Sequence, residues 1–334
     1  MLNPPSKAPK HVGGQAVIEG VMMRAPGGVA ICVRRENGSI ATRSFPYISR
    51  TEQRKALGIP IVRGAVALIE MLTLGIQALT WSAQVAAESE EQRTKDQRTT
   101  TKNEVQTTNG KGEEGKGKRG AEAAVAFTLV IALAIGIGFF FYLPLLLSGI
   151  VVGQGNQVVF NLVAGLIRVV FFLGYVFAIQ FIPDIRRIFQ YHGAEHKAIF
   201  CYEAGCELSI DEMSTYTTRH PRCGTSFLLI VFVLAIIVFG AADSLLFGVW
   251  GVAPSRLIRL LYHLALLPLV AGVSHELMKF SSRRAQNRVI RLLLSPGLAL
   301  QKITTREPDS SQLEVGIASL KEALRFKGKE IDGT

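Results

Sequence analysis

Long blocks of apolar residues alternate with strongly polar ones along the chain. Four blocks are long enough to cross a bilayer as helices, because about 20 apolar residues span its hydrocarbon core. They cover residues 121–149, 158–182, 227–250 and 257–273. This pattern predicts a mainly α-helical, polytopic membrane protein with about four transmembrane helices, paired as hairpins over residues 121–182 and 227–273.

An earlier apolar block, residues 59–87, carries two charges. Arg63 and Glu70 are seven positions apart and therefore lie on one face of a helix. A helix with one charged face and one apolar face lies on a membrane surface or packs against other helices. We therefore favour an amphipathic, membrane-associated helix here, with a full span as the alternative.

Residues 1–58 are polar to mixed in composition. Within them, the sequence AICVRRENGSIATRSF alternates apolar and polar residues around Asn37-Gly38, a pair suited to a tight turn. We predict a small β-hairpin in this N-terminal cytoplasmic region. Residues 88–120 contain no aromatic residue and many charges of both signs, so they are expected to form a disordered linker.

The last region, residues 274–334, is predicted to form two helices. The first has a basic face and an apolar face, as interfacial segments have, and is interrupted at Ser295-Pro296-Gly297. The second is a short cytoplasmic helix with Asp309 or Ser310 as its N-cap. Its apolar residues recur at helical spacing, at Leu313, Ile317, Leu320 and Leu324.

The distribution of basic residues predicts the orientation in the membrane. The formal net charge is +11, with 49% hydrophobic and 19% charged residues and a mean hydropathy of +0.29. This is too apolar for a soluble protein of this size, and Lys and Arg flank the apolar blocks, which indicates contact with lipid headgroups rather than nucleic acid. Basic residues cluster in 183–226 and after 273. The positive-inside rule places both segments and both termini in the cytoplasm, in a multi-pass protein of the cytoplasmic membrane.

Residues 184–207, DIRRIFQYHGAEHKAIFCYEAGCE, form a polar island between apolar blocks. His192 and His196 are four apart, so on a helix both imidazoles leave the same face, with Glu195 beside them. Two imidazoles at this spacing can bind one Zn²⁺, and a neighbouring carboxylate can accept a proton from a water on the metal. The pattern His-x-x-Glu-His is the reversed zinc-protease motif. The alternative is a pair of interfacial histidines that bond to carbonyls or lipid phosphate.

The remaining metal ligands must come from elsewhere in the chain. His220 and Cys223 lie three apart in TTRHPRCGTSF, a loop that can bend both side chains toward one point. Glu276 reaches the same predicted cytoplasmic side, although pairing with Lys279 would explain it equally well. We therefore predict a divalent metal, with zinc favoured, and Glu195 as the catalytic base. The candidate ligands are His192, His196, His220, Cys223 and Glu276.

A structural zinc site is the main competing interpretation. Cys201, Cys206, His220 and Cys223 have a spacing close to that of structural zinc sites, which would make the protein a non-enzymatic membrane scaffold. The clustering of these cysteines favours metal or a reduced compartment over a secreted disulfide framework.

A small transporter is the third interpretation. Arg168, Asp243 and His263 lie inside apolar blocks, where charged groups are costly, so they are expected to face the helix bundle. Arg168 and Asp243 are potential partners there. Four spans are few for a carrier, although a homo-oligomer would supply more.

Four stretches follow one another along the chain, GGQAVIEGVMMRAP, YHGAEHKAIFCYE, TRHPRCGTSFLL and TTREPDSSQLEVGIASLKEAL. Together they resemble the YqhQ-like family of bacterial membrane proteins, described as predicted metal-dependent enzymes, over nearly the whole chain except residues 88–120. The resemblance includes Glu19 and Arg24, for which a Gly-rich turn with a buried salt partner is the plain interpretation. It implies functional positions at His192, Glu195, His196, His220 and Cys223. The leading prediction is a metal-dependent hydrolase that attacks an amide or ester at the cytoplasmic membrane surface.

Overall fold

The computed structural model describes residues 12–101, 127–128, 130–153, 155–251, 255–284 and 287–326. The chain divides into two units. The first comprises Met1–Gln92, Tyr175–Val231 and Pro268–Thr334, and the second comprises Arg93–Gly174 and Phe232–Leu267. The architecture is mainly helical with an N-terminal antiparallel sheet, as the sequence predicted.

The N-terminal region of the first unit forms a four-stranded antiparallel sheet in sequence order. Its strands are β1 (Gly13–Val17), β2 (Gly20–Ala25), β3 (Gly27–Arg34) and β4 (Ile40–Tyr47). The predicted hairpin is the β3–β4 pair, and its turn contains Gly38 with a φ of +84°. Strands β1 and β2 extend the sheet beyond the predicted hairpin. They were not predicted, because their short, Gly-containing segments show no strong alternation of apolar and polar residues.

Helices follow the sheet along the rest of the chain. They are α1 (Arg50–Gln53), α2 (Val62–Thr101), α3 (Val130–Val152, with a π-helical turn at Gly138–Tyr142), α4 (Gln157–Ile179), α5 (Pro183–Ala204), α6 (Ile210–Ser214), α7 (Gly224–Trp250), α8 (Arg256–Arg283), α9 (Arg288–Thr304) and α10 (Ser310–Leu324), with a 3₁₀ turn at Lys55–Gly58. The predicted cap of α10 is confirmed, because Asp309 and Gln312 form a capping box.

Both faces of the sheet are buried, so the sheet is the centre of the first unit's core. Strand residues alternate between the two faces, as the two-residue period of a strand requires. Val29, Ile31 and Val33 pack with Leu74 and Ala78 of α2. The opposite face, which includes Val21, Met23, Ala30 and Cys32, packs with Ala194 and Ala198 of α5 and Leu313 and Leu320 of α10.

Within the described residues, five helices are long and apolar enough to cross a membrane. They are Val62–Glu90, Val130–Val152, Gln157–Ile179, Gly224–Phe247 and Arg256–Ser281. The last four correspond to the predicted spans, so the chain is a multi-pass membrane protein. For α2 the interfacial placement stays a prediction, although its Ile69, Leu72 and Ile76 are exposed on the side away from Leu74 and Ala78.

Helices continue through parts of two segments where the sequence predicted a linker or an interruption. Helix α2 continues through residues 88–101, where a disordered linker was expected, and residues 102–120 lie outside the described ranges. This segment is rich in Glu, Gln, Arg and Lys, which favour helix even without burial. Helix α9 continues through Pro296, because Leu294, Gly297 and Leu300 are buried on its packed face and hold it across the proline.

Candidate metal centre

Helix α5 carries His192, Glu195 and His196 and packs between the sheet and the chain that follows α9. Pro183 opens the helix, where its missing N–H is not needed, and Asp184 lies in its first turn. Gly193 allows the segment after α9 to approach closely, because a Cβ atom there would lie 2.0 Å from the carbonyl oxygen of Arg306. The backbone N–H of Arg306 donates to the carbonyl of Phe189 at 2.9 Å. The segment 304–306 is therefore fixed along the histidine-bearing face of α5.

Both imidazoles of α5 are oriented by backbone carbonyls. His192 Nδ1–H donates to the carbonyl of Thr304 at 2.8 Å, and His196 Nδ1–H donates to the carbonyl of Thr218. Because a carbonyl only accepts, each ring carries its proton on Nδ1 and keeps a lone pair on Nε2. Metal-binding histidines are commonly oriented by this kind of second hydrogen bond.

Cys223 completes a group of three ligand atoms. Its Sγ lies 3.3 Å from His192 Nε2, and the ligand atoms of His192, His196 and Cys223 all lie within 4.8 Å of one another. Tetrahedral zinc with two imidazoles and a thiolate places adjacent ligand atoms about 3.5 Å apart. The cluster could therefore hold a metal ion.

The position of Cys223 favours its thiolate form. Cys223 immediately precedes α7, and the N–H of Thr225 points at its sulfur at 3.5 Å. Burial raises the pKa of the Cys223 thiol, but its interactions with His196 and Thr225 outweigh burial, and the net pKa lies below its usual value. A thiolate at a helix N-terminus is also stabilised by the helix dipole.

Glu195 is buried next to this cluster, under the first strand. Its carboxylate accepts a hydrogen bond from the backbone of Gly14, and a Cβ atom at Gly14 would lie 2.9 Å from Glu195 Cγ. Burial raises the pKa of Glu195 to about 7, although His192 and the Gly14 hydrogen bond act in the opposite direction. The N-terminal GGQ motif thus has a structural role, since only glycine leaves room for this carboxylate at residue 14.

His220 is buried next to the cluster, and its Nε2 makes no hydrogen bond among the described residues. Its Nδ1 accepts the N–H of Arg222 at 3.2 Å, and its Nε2 lies 3.5 Å from a carboxylate oxygen of Glu203. Burial lowers the pKa of His220 to about 4, so the ring is neutral. His220 lies outside the group formed by His192, His196 and Cys223, and its role as a metal ligand stays a prediction.

Gln301 of α9 fixes the backbone of this same loop. Its Oε1 accepts the N–H of His220 at 2.7 Å, and its Nε2 donates to the carbonyl of His220 at 2.9 Å. Gln301 is fully buried, so these bonds are made away from water. They fix the position of the segment from Thr218 to Cys223 beside α5.

Two other predicted ligand assignments do not meet the cluster. Glu276 forms a two-point ion pair with Arg63, at 2.6 Å between Arg63 Nε and Glu276 Oε1, and it lies outside the group formed by His192, His196 and Cys223. Cys201 and Cys206 form a disulfide with their Cα atoms 5.3 Å apart. This bond removes two thiolates from the predicted Cys201–Cys206–His220–Cys223 zinc set, so that ligand set is wrong, as is the expectation of reduced cysteines at these positions.

The two N-terminal residues of the resemblance have ordinary structural partners. Glu19 forms an ion pair with Arg187 of α5 and accepts the Tyr191 hydroxyl at 3.2 Å. Arg24 lies over the ring of Tyr47 at 4.9 Å. Glu19 therefore joins the β1–β2 turn to α5.

Sequence reasoning missed the groups that orient the ligands. Thr218 and Thr304 contribute backbone carbonyls, and Gly14 contributes a backbone N–H. No side-chain pattern marks such groups. The available signal was that all three lie in or beside the four stretches that resemble the YqhQ-like family.

The comparisons with known proteins agree with this resemblance. The chain is 29% identical over 330 residues to a Bacillus subtilis (strain 168) protein with the name "Uncharacterized protein YqhQ". The matched region covers 96% of this chain and 94% of that protein. No solved structure matches the chain. The sequence model of the family described as "Protein of unknown function (DUF1385)" matches residues 59–326, and the chain therefore belongs to the DUF1385 family.

Proposed function

We propose that this protein is a metal-dependent hydrolase of the membrane, with His192, His196 and Cys223 as the ligands of one zinc ion. The observation that carries the proposal is the convergence of one ligand atom each from His192, His196 and Cys223, which all lie within 4.8 Å of one another, with His192 Nε2 at 3.3 Å from Cys223 Sγ. Two nitrogen donors and one thiolate suit zinc better than the oxygen-preferring cations. Three protein ligands leave the fourth tetrahedral position for a reactant, as catalytic zinc sites do.

The supporting groups are those expected around a working site. The carbonyls of Thr304 and Thr218 hold the two rings, and the Gln301 side chain holds the loop that bears Cys223. Zinc in such a site lowers the pKa of a coordinated water to about 7 and polarises a carbonyl group. Glu195 is buried beside the cluster and interacts with His192 and Cys223, so with a metal bound its carboxylate would be the group to take up and return a proton.

The substrate class follows from this chemistry and from the membrane setting. Attack by water at a polarised carbonyl breaks an amide or an ester. The basic residues at 183–226 and after 273 support a cytoplasmic position for the site by the positive-inside rule. We propose that the substrate reaches the site from the cytoplasmic face of the membrane.

Metal analysis of the detergent-purified protein tests the ligand set. We expect about one zinc per chain in the wild type, and background metal in Cys223→Ser and in the His192→Ala/His196→Ala double variant. Cys32→Ser and His275→Ala are matched controls, because Cys32 is also a buried free cysteine and His275 lies outside the cluster. Full metal content in Cys223→Ser, or a folded wild type without metal, would refute the assignment.

Catalysis needs a separate test with the metal in place. In a screen of amide and ester substrates, Glu195→Gln should retain the metal and lose about 10²- to 10⁴-fold in rate, because it removes only the proton acceptor. Glu207→Gln, an exposed glutamate on the same segment, should keep the wild-type rate. A metallated wild type that hydrolyses no substrate would leave the site structural and the hydrolase proposal without support.

A further inference from the structure

A second buried polar cluster lies in the second unit, and it is centred on Asp243 of α7. The Asp243 carboxylate accepts Asn161 Nδ2–H at 2.7 Å and lies 3.0 Å from His263 Nε2. It also accepts the Tyr262 hydroxyl. Arg259 Nε lies 3.0 Å from Asp243 Oδ2, with both side chains fully buried.

No hydrogen bond among the described residues joins Asp243 to Arg168, which the sequence suggested as its partner. Arg168 is 97% buried on α4, as its 3% relative exposure shows. Its guanidinium lies between two aromatic rings, 5.9 Å from the Phe141 centroid and 5.5 Å from the Phe239 centroid. Its Nε and Nη2 groups have no hydrogen-bond partner among the described residues.

Other donors in this cluster are also incompletely paired. Arg259 Nη2 donates to Gln157 at 2.6 Å, but Nη1 has no partner within the described part of the chain. The polar residues recur on one face of each helix, since Asn161 and Arg168 are seven apart on α4 and Arg259 and His263 are four apart on α8. The Phe239 ring stacks on His263 at 4.1 Å and also contacts Arg168, so it joins Arg168 to the Asp243 group.

The charges in this cluster do not balance. Two guanidinium groups and one carboxylate leave a net charge of +1 when His263 is neutral. An uncompensated charge in the membrane interior is costly, and buried charges in proteins are normally paired. Guanidinium N–H groups are strong donors to anions, and aromatic rings satisfy only the faces of the group and not its edge.

We propose that the cluster of Arg168, Asp243, Arg259 and His263 binds one small monovalent anion, such as chloride, nitrate or formate, at the edge of the Arg168 guanidinium. The anion neutralises the excess charge and accepts hydrogen bonds from the unpaired Nε and Nη2 groups of Arg168. This site is independent of the hydrolase proposal.

A free anion fits this position better than a lipid phosphate. Arg168 is the twelfth of the 23 residues of α4. At a rise of about 1.5 Å per residue it lies roughly 16 Å from either helix end, well inside the hydrocarbon layer, whereas lipid headgroups stay at the interface. The source of the ligand is therefore a small dissolved ion.

The test measures the melting temperature of the full-length protein in a maltoside detergent. Sodium gluconate is replaced at constant ionic strength by sodium chloride, nitrate or formate. We expect the best of these ions to raise the melting temperature of the wild type by about 5 °C, because a ligand that binds only the folded state stabilises it. Arg43→Gln, which removes an exposed arginine of β4, should show the same rise.

Arg168→Gln separates binding from a general salt effect. It should lose the anion response and melt in gluconate at or above the wild-type temperature, because it no longer buries an unpaired charge. Arg168→Lys keeps the charge and should keep part of the response, so it decides the question if Arg168→Gln fails to fold. A parallel sample receives phosphatidylglycerol instead of the test ions. The proposal would be overturned by an equal response in wild type and Arg168→Gln, by no response in the wild type, or by a response only to phosphatidylglycerol.

Discussion

The two buried polar clusters of this protein have opposite chemistry. Around α5, the carbonyls of Thr304 and Thr218 take the imidazole protons, so that lone pairs of two nitrogens and one sulfur face one another. Around Asp243, the carboxylate accepts hydrogen bonds from several donors, and Arg168 Nε and Nη2 have no hydrogen-bond partner in the described part of the chain. The first arrangement suits a cation and the second suits an anion.

This difference shows why residue type alone does not identify a site. Both clusters contain histidine and a carboxylate next to arginine or cysteine. The direction of the orienting hydrogen bonds decides whether lone pairs or N–H groups converge, and this sets the sign of the ligand charge.

Metal removal should have the largest effect and should separate the two clusters. A chelator should lower the melting temperature of the wild type by about 5 °C or more, because a bound metal contributes directly to folding free energy. Arg168→Gln should show the same fall, whereas His192→Ala/His196→Ala should show none. Chelator sensitivity in the histidine variant would mean that the metal lies elsewhere.

Gly193→Ala should disrupt the first cluster without touching a ligand. Its Cβ atom would overlap the carbonyl of Arg306 and displace the segment that contains Thr304. We expect a loss of about 3 kcal/mol in the free energy of unfolding, together with loss of metal. Gly174→Ala is the control, since no atom of the described ranges lies within 4 Å of a Cβ atom there and alanine favours helix. Denaturant unfolding and metal analysis of both variants would show the difference.

Adjacent glycines of β1 test whether the sheet positions Glu195. In Gly14→Ala the new Cβ atom would crowd Glu195 Cγ and the carbonyl of Met22, at 2.9 and 2.6 Å. We expect the metal to stay and hydrolysis to fall by about 10²-fold, because the carboxylate is displaced. In Gly13→Ala the new Cβ atom has no described residue within 4 Å, and this variant should behave as wild type. Equal rates in the two variants would show that β1 does not control Glu195.

The disulfide should have the smallest effect on the metal site. Cys201→Ser/Cys206→Ser should keep its full metal content, since neither sulfur belongs to the His192–His196–Cys223 group. The free energy of unfolding should fall by about 2 kcal/mol, because the variant no longer closes a short loop in the unfolded chain. Loss of metal in this variant, measured beside the wild type under the same conditions, would support the structural zinc site with cysteine ligands.

The spans, the hairpin turn and the α5 motif could be predicted because each is a local pattern. An apolar run, an Asn-Gly pair and a four-residue histidine spacing all act within one element. Strands β1 and β2, the partner of Glu276 and the disulfide could not be predicted in this way, since each depends on segments that meet only after folding.

The sequence by itself determined that the chain is a multi-pass, mainly helical membrane protein and that His192, Glu195 and His196 share one helix. Only the tertiary structure decided that Cys223 joins the two histidines, that His220 and Glu276 lie outside that group, and that no hydrogen bond among the described residues joins Arg168 to Asp243. The physical reason is competition for partners: each hydrogen-bonding or charged group binds whichever group packing brings nearest, and that choice is made between elements far apart in the chain.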